Sequence, residues 1–242
     1  MATLTMNVYS PAPCVMALMV FAGSAHAGRP LATDDAATAD PGSCQLESWV
    51  VRAGSNRALV LAPACGVAAG VELDAEYALL HPQDVLRDAA GLAVKWVPEG
   101  WRTLSPAGEV NFGLKLAAVA ERRASAGWSG TQTGALALAT LKPHDEWVVH
   151  ANLGAARARQ SGTTATLFNL AVAWTPQERA LLFIETRTNN QRRLFAGTVN
   201  TAGGRWWLLQ DRFGLDLTAS REAGATGATL WTLGFGWYGL GP

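Results

Sequence analysis

The feature that most constrains this chain is an alternation with period two that recurs between residues 43 and 238. Val71, Leu73, Ala75, Tyr77 and Leu79 alternate with Glu72, Asp74, Glu76 and Ala78. Val110, Phe112, Leu114 and Leu116 alternate with Glu109, Asn111, Gly113 and Lys115. Trp231, Leu233, Phe235 and Trp237 alternate with Leu230, Thr232, Gly234 and Gly236. This is the period of a strand whose two faces differ. The second face mixes Gly, Ala and Asn with scattered charges. In a soluble sandwich the bulky residues meet in the core and the outer face is rich in Lys, Thr and Glu. Only 16% of this chain is charged, too little for such a face. A membrane barrel assigns the faces the other way: bulky side chains meet lipid, and small or ionised ones meet the lumen. The fold expected is therefore all-β, an antiparallel up-and-down transmembrane β-barrel. Lys+Arg and Asp+Glu both total 19, which excludes a nucleic-acid binder working through bulk positive charge.

About twelve strands are expected, an even number as bacterial barrels require. Their positions are 43–53, 56–65, 68–79, 88–98, 108–120, 131–142, 146–158, 164–174, 179–188, 196–209, 213–221 and 229–238. Short connectors such as Lys142-Pro143-His144-Asp145, Thr175-Pro176-Gln177-Glu178 and Gln210-Asp211-Arg212 alternate with longer polar ones at 80–88, 121–130, 158–163, 188–195 and 221–228. Short periplasmic turns and long extracellular loops alternate in this way, which puts both termini in the periplasm. The connector 98–107 departs from the pattern, being too long for a tight turn. Trp96, Trp147, Trp174, Trp206 and Trp237 all fall at strand ends facing the short turns. That is the position of an interfacial aromatic girdle.

Residues 1–27 carry no Asp, Glu, Lys or Arg. An apolar run from Val15 to Phe21 precedes Ala25-His26-Ala27, the pattern of a signal peptide cleaved after Ala27. Residues 28–42, with their Pro and Asp, read as an N-terminal periplasmic segment, either a tail or a piece folded into the periplasmic mouth, of which the tail is the preferred reading, leaving 43–242 as the barrel itself. Cys14 falls in the signal, so the mature chain keeps Cys44 and Cys65 in an oxidising compartment. Gly54-Ser55 suits a two-residue hairpin turn with Gly first. Counting back from it pairs Ala53 with Asn56, Arg52 with Arg57 and finally Cys44 with Cys65. The cysteines then fall at a non-hydrogen-bonded pair, with Cα atoms about 4.5 Å apart, close enough to bridge.

Several segments together resemble a known family. They are Arg29-Pro30-Leu31 with Thr33-Asp34-Asp35-Ala36, Gly42 to Glu47, Pro63-Ala64-Cys65-Gly66, Gly204 to Leu208 followed by Leu215-Asp216, and Thr232-Leu233-Gly234. The family is that of small proteobacterial outer-membrane β-barrels of the transporter type, akin to the MetA-pathway phenol-degradation proteins. The resemblance spans most of the mature chain and implies a barrel in a Gram-negative outer membrane. It brings no binding residues with it.

No cofactor and no metal site is expected, because no His/Cys/Asp cluster has ligand spacing. Barrel enzymes that cut lipids place a His two residues from a Ser; here His150-Ala151-Asn152 has no Ser, and the strand phase turns His150 inward. An enzyme is therefore unsupported. The lumen is the remaining site. The strand phase gives it Glu47, Glu72, Asp74, Glu76, Lys95, Glu109, Lys115, Glu185, Arg187, Arg205 and Asp216. Glu72, Asp74 and Glu76 on one strand require basic partners, and Lys95 and Lys115 are placed to supply them. Such a lining could select a solute, or its opposite charges could pair and plug a narrow interior. The function expected is passive passage of a small solute, hydrophobic ones included. The alternatives are a structural barrel with a plugged lumen, a lipid-modifying enzyme and a soluble periplasmic β-protein. The expected partners are outer-membrane lipids and a small-molecule solute.

Overall fold

A computed structural model describes residues 30–83, 86–191, 197–224 and 229–241. The expected signal peptide, its cleavage point after Ala27 and Cys14 lie outside those residues. The strands are β1 (Cys44–Ala53), β2 (Asn56–Ala68), β3 (Val71–His81), β4 (Leu86–Trp96), β5 (Thr103–Ser105), β6 (Gly108–Arg123), β7 (Trp128–His144), β8 (Trp147–Ala158), β9 (Thr164–Gln177), β10 (Ala180–Asn189), β11 (Val199–Leu209), β12 (Phe213–Glu222) and β13 (Leu230–Leu240). All but β5 form one closed antiparallel barrel of twelve strands. β1 pairs with β13, and β4 pairs directly with β6. The connector from β4 to β6 holds a single 3-10 turn at Glu99–Trp101, then β5, which pairs with the start of β6.

The first hairpin shows how closely residue pattern fixes register. Gly54 adopts φ +59°, as a Gly-first hairpin turn requires. The ladder then runs unbroken from Ala53↔Asn56 to Cys44↔Cys65. The two cysteines are bridged across a Cα separation of 4.1 Å.

The wall has the two faces that the alternation implies. Outward-facing Leu92, Leu116, Ile184 and Leu233 are each more than 60% exposed, whereas inward-facing Glu72, Lys95, Lys115 and Asp216 are at most 2% exposed. Leaving one such leucine in water forfeits about 1.5–3 kcal/mol of burial. A wall covered with them is stable only against hydrocarbon, and that places this face in lipid.

The strands outrun the alternation in several places. β6 continues to Arg123 and β7 begins at Trp128, so most of the stretch expected as a long loop at 121–130 is ladder. β3 and β4 likewise take up most of 80–88. Beyond the lipid a paired strand needs no apolar face, so the sequence pattern stops before the hydrogen bonds do.

Trp96, Trp147, Trp174, Trp206 and Trp237 lie exposed on the outer face at the short-turn end. Trp147 stacks on Trp174 at 5.7 Å, and Trp101 from the β4–β6 connector packs 5.0 Å from Trp96. A second aromatic group, not read from the sequence, lies at the loop end. There Tyr77 and Trp128 approach to 6.2 Å and Arg122 covers the Trp128 ring, and Trp231 is exposed at the same end of the last strand.

One expectation is corrected. Of the two readings of residues 28–42, the preferred one, a tail, does not hold for the described residues 30–41, which run inside the barrel. Leu31, Thr33, Asp34 and Ala36 are buried. The cause is a series of side-chain acceptors on the inner wall that capture the backbone amides of this segment, as described next.

Candidate functional site

The lumen is built by the inward positions of the twelve strands. The N-terminal segment enters it beside the disulfide. Its root is fixed to β2 by Gly42 N–H donating to Gly66 O (2.8 Å) and Gly66 N–H donating to Ser43 O (2.9 Å). Gly66 is required there: a Cβ would stand 2.2 Å from the carbonyl oxygen of Ala39 and 2.3 Å from that of Asp40.

From this root the segment crosses to the opposite wall. Ala39 N–H donates to Glu72 Oε2 on β3 (2.8 Å). Ala36 N–H donates to Thr140 Oγ1 on β7 (2.8 Å), and the same hydroxyl contacts His150 Nδ1 on β8 (2.9 Å). Asp34 N–H donates to Asn152 Oδ1, and Asn152 Nδ2 donates back to Asp34 O, both at 2.8 Å. Glu185 on β10 accepts from Ala32 N–H (2.9 Å), from Thr33 N–H and from Thr33 Oγ1 (2.6 Å). Leu31 completes the crossing against Ala171, Ala173 and Phe183. A backbone taken out of water must have its amides paired, and here the partners are side chains of four different strands, β3, β7, β8 and β10, rather than a ladder.

Two lysines fasten the same segment. Lys95 Nζ lies 3.0 Å from Asp35 Oδ1, 2.9 Å from Ala37 O and 3.2 Å from Glu72 Oε1. Lys115 Nζ lies 3.1 Å from Asp34 Oδ1 and 2.9 Å from Asp74 Oδ2. Each lysine therefore bridges a carboxylate of the wall and a carboxylate of the segment. Charges this deep are tolerated only when paired and hydrogen-bonded.

A separate cluster occupies the β11–β12–β13–β1 arc. Arg205 makes a two-pronged bond to Asp216, at 2.7 and 2.8 Å. Its guanidinium lies 4.8 Å from the Trp207 ring centre and 5.0 Å from that of Tyr238. Arg205 also donates to Tyr238 Oη, and the Tyr238 hydroxyl donates to Glu47 Oε1.

The loop end of the lumen is different in kind. Trp49, Val51, Val60, Leu80, Leu86 and Leu230 form an apolar cluster on the inner face of β1–β4 and β13. The lumen thus joins a charged turn-end half to an apolar patch at the loop end.

The eleven lining residues expected from strand phase are distributed as follows. Glu47, Glu72, Asp74, Glu76, Lys95, Lys115, Glu185, Arg205 and Asp216 are buried inside. Arg187 stands 3.6 Å from Glu185 and keeps 12% of its side chain exposed. Glu109 lies at the turn-end rim, 23% exposed and bonded to Arg102 of the β4–β6 connector rather than to the enclosed groups. Residues missed from the sequence are Thr33, Asp34, Asp35 and Ala36 of the segment, and Asn152 and Thr140 of the wall, which meet Asp34 and Ala36. The one signal available was the pair of adjacent aspartates in a stretch, residues 30–51, that has no Lys or Arg. Among the described residues no group of His, Cys, Asp and Glu is arranged to hold a metal ion.

A family model spans residues 15–236 of this sequence, nearly its whole length. The chain belongs to the family described as uncharacterised conserved protein UCP029691. No curated protein matches it. Among solved structures it is similar to the KdgM porin, with 9% identity and a TM-score of 0.58 over 80% of this chain and 98% of that one. The NanC porin gives 8% identity and 0.56 over 81% and 100%. Omp33 of Acinetobacter baumannii gives 7% and 0.50 over 81% and 97%. At these identities the likeness is one of fold: the chain has the architecture of outer-membrane porins.

Proposed function

We propose that this protein is a passive outer-membrane channel whose lumen is closed at rest by its own residues 30–41. Residues 1–27 serve as the export signal, with cleavage after Ala27. The turn end faces the periplasm, and the tryptophans at that end sit at the inner membrane interface. The observation that carries this reading is the crossing of the lumen to Glu185 by a segment that, beyond its backbone root at Gly66, is held by side chains of the wall. A permanent plug would be expected to pack an apolar core or join the ladder. This one is held by hydrogen bonds and two lysine bridges, which water or a solute can exchange.

The solute is small, because the segment leaves room only for what its displacement opens. The apolar cluster around Trp49 and Leu80 at the loop end favours solutes with a hydrophobic part, in keeping with the resemblance to phenol-degradation barrels. A related KdgM porin structure holds a disordered oligogalacturonate. That poly-anion is a poor model for this lumen, where the carboxylates Glu47, Glu72, Asp74, Glu76, Glu185 and Asp216 outnumber Lys95, Lys115, Arg187 and Arg205.

Planar-bilayer recording tests the reading. The intact protein should conduct rarely, and a form lacking residues 30–39 should conduct steadily with a preference for cations. Equal, negligible conductance of both forms would favour the structural barrel instead.

A further inference from the structure

The outer face of the barrel is not uniformly bulky. Across four neighbouring strands one row of outward positions reads Ile184, Ala202, Ala219 and Trp231, each the direct cross-strand partner of the next. The row toward the turn end reads Leu182, Gly204, Leu217 and Leu233. Two adjacent alanines between the bulkier Ile184 and Trp231 leave a groove at this part of the outer face. Leu170 and Val172 extend its wall onto β9, and its volume is about 460 Å³. That lies within the roughly 300–1,000 Å³ of ligand pockets.

The groove does not end in hydrocarbon-like side chains. At the loop end the next row holds Thr186, Asn200 and Arg221, again direct partners across β10, β11 and β12. Thr186 Oγ1 donates to Asn200 Oδ1 at 2.7 Å, which turns the Asn200 amide nitrogen away from that bond. Among the described residues Arg221 forms no ion pair, although Asn200 stands opposite it. An outward arginine at the lipid rim, with no carboxylate partner among the described residues, leaves a cation facing the headgroup layer. Together the features fit one ligand shape: a chain that lies in an apolar trough and a negative group at its loop end.

We propose that this groove seats a phosphorylated acyl lipid of the outer leaflet, with an acyl chain over Ala202 and Ala219 and a phosphate at Arg221 and Asn200. The site is separate from the lumen and does not depend on whether the lumen opens. The guanidinium can meet a phosphate oxygen through two parallel bonds, and the asparagine amide supplies a third donor. The chain fills the space where the wall offers lipid only the methyl groups of Ala202 and Ala219 to pack against.

The test uses the full-length protein in detergent, incubated with bisphosphorylated lipid A or with the same lipid dephosphorylated, and counts bound lipid by native mass spectrometry. The intact protein should retain the phosphorylated form about ten-fold better, the size expected from one charge-assisted contact. Arg221→Gln should abolish that preference. Ala202→Trp, which fills the trough, should lower retention of both forms. A heat-dependent mobility shift on SDS gels establishes that each variant is folded; should Ala202→Trp fail it, Arg221→Gln decides alone. Equal retention of the two lipids by the intact protein, or an unchanged preference in folded Arg221→Gln, would overturn the proposal. Neither variant touches the lumen, so bilayer conductance is unaffected in either outcome.

Discussion

Replacing both Asp34 and Asp35 by alanine should loosen the hold of the lumen on the segment. Asp34 meets Lys115 at 3.1 Å and Asp35 meets Lys95 at 3.0 Å. Each lysine keeps a second carboxylate on the wall, Asp74 for Lys115 and Glu72 for Lys95. The variant therefore strands no buried cation, and the larger penalty of an unpaired internal charge does not arise. What is lost is two charge-assisted bonds, about 1.5–3 kcal/mol each. A total near 3–6 kcal/mol changes the ratio of displaced to inserted segment by roughly 10²–10⁴. The backbone bonds to Asn152, Thr140 and Glu185 remain, so the segment still binds, but less tightly. Single-channel recording in a planar bilayer reads this ratio as open probability. The variant should open far more often than the intact protein, with the same unitary conductance as a form lacking residues 30–39. Intact and doubly substituted proteins with the same open probability, beside an open truncated form, would refute the assignment of the lysine bridges as the latch.

Three further outcomes follow from the geometry. Replacing Cys44 and Cys65 by serine frees a loop of sequence separation 21 and should cost about 3 kcal/mol, read as a lower temperature for the gel mobility shift. At Gly236 a Cβ would stand 2.3 Å from Tyr238 Oη; Gly236→Ala should push the phenol off Arg205 and Glu47 and destabilise by about 1–3 kcal/mol, seen as a lower urea midpoint in lipid vesicles, with a smaller loss when Tyr238 is already phenylalanine. Leu116→Arg puts a charge on the lipid face in mid-strand and should cost about 2–4 kcal/mol near the midplane, measured by the same unfolding assay.

Much of the wall could be read from the residues because a strand writes its environment at period two. The partner of Cys44 followed from Gly54-Ser55 and simple counting, since each step along a hairpin carries both strands one residue from the turn. The same alternation turned Lys95 and Lys115 inward, toward Glu72 and Asp74. The segment 30–41 was not legible for a physical reason. Its bonds go to Glu72, Thr140, Asn152 and Glu185, between 33 and 153 residues away in sequence. A stretch held by remote side chains adopts no repeating conformation, so no periodicity marks it, and by composition it is a polar tail. Trp49 and Trp207 show a second limit. Tryptophan suggests the lipid interface, yet strand phase turns these two into the lumen, where Trp207 covers the Arg205 guanidinium and Trp49 joins the apolar cluster. Phase outranks residue type whenever the two disagree.

The central claim is that residues 30–41 lie inside the barrel at rest. The most direct test introduces Ala36→Cys into the full-length protein, with its native disulfide intact, and follows reaction with a bulky membrane-impermeant maleimide. The thiol should be protected in the otherwise unaltered protein and should react readily once Asp34 and Asp35 are also alanine. Rapid labelling without those two changes, at the rate of a thiol on an unstructured peptide, would place the segment outside and contradict the account.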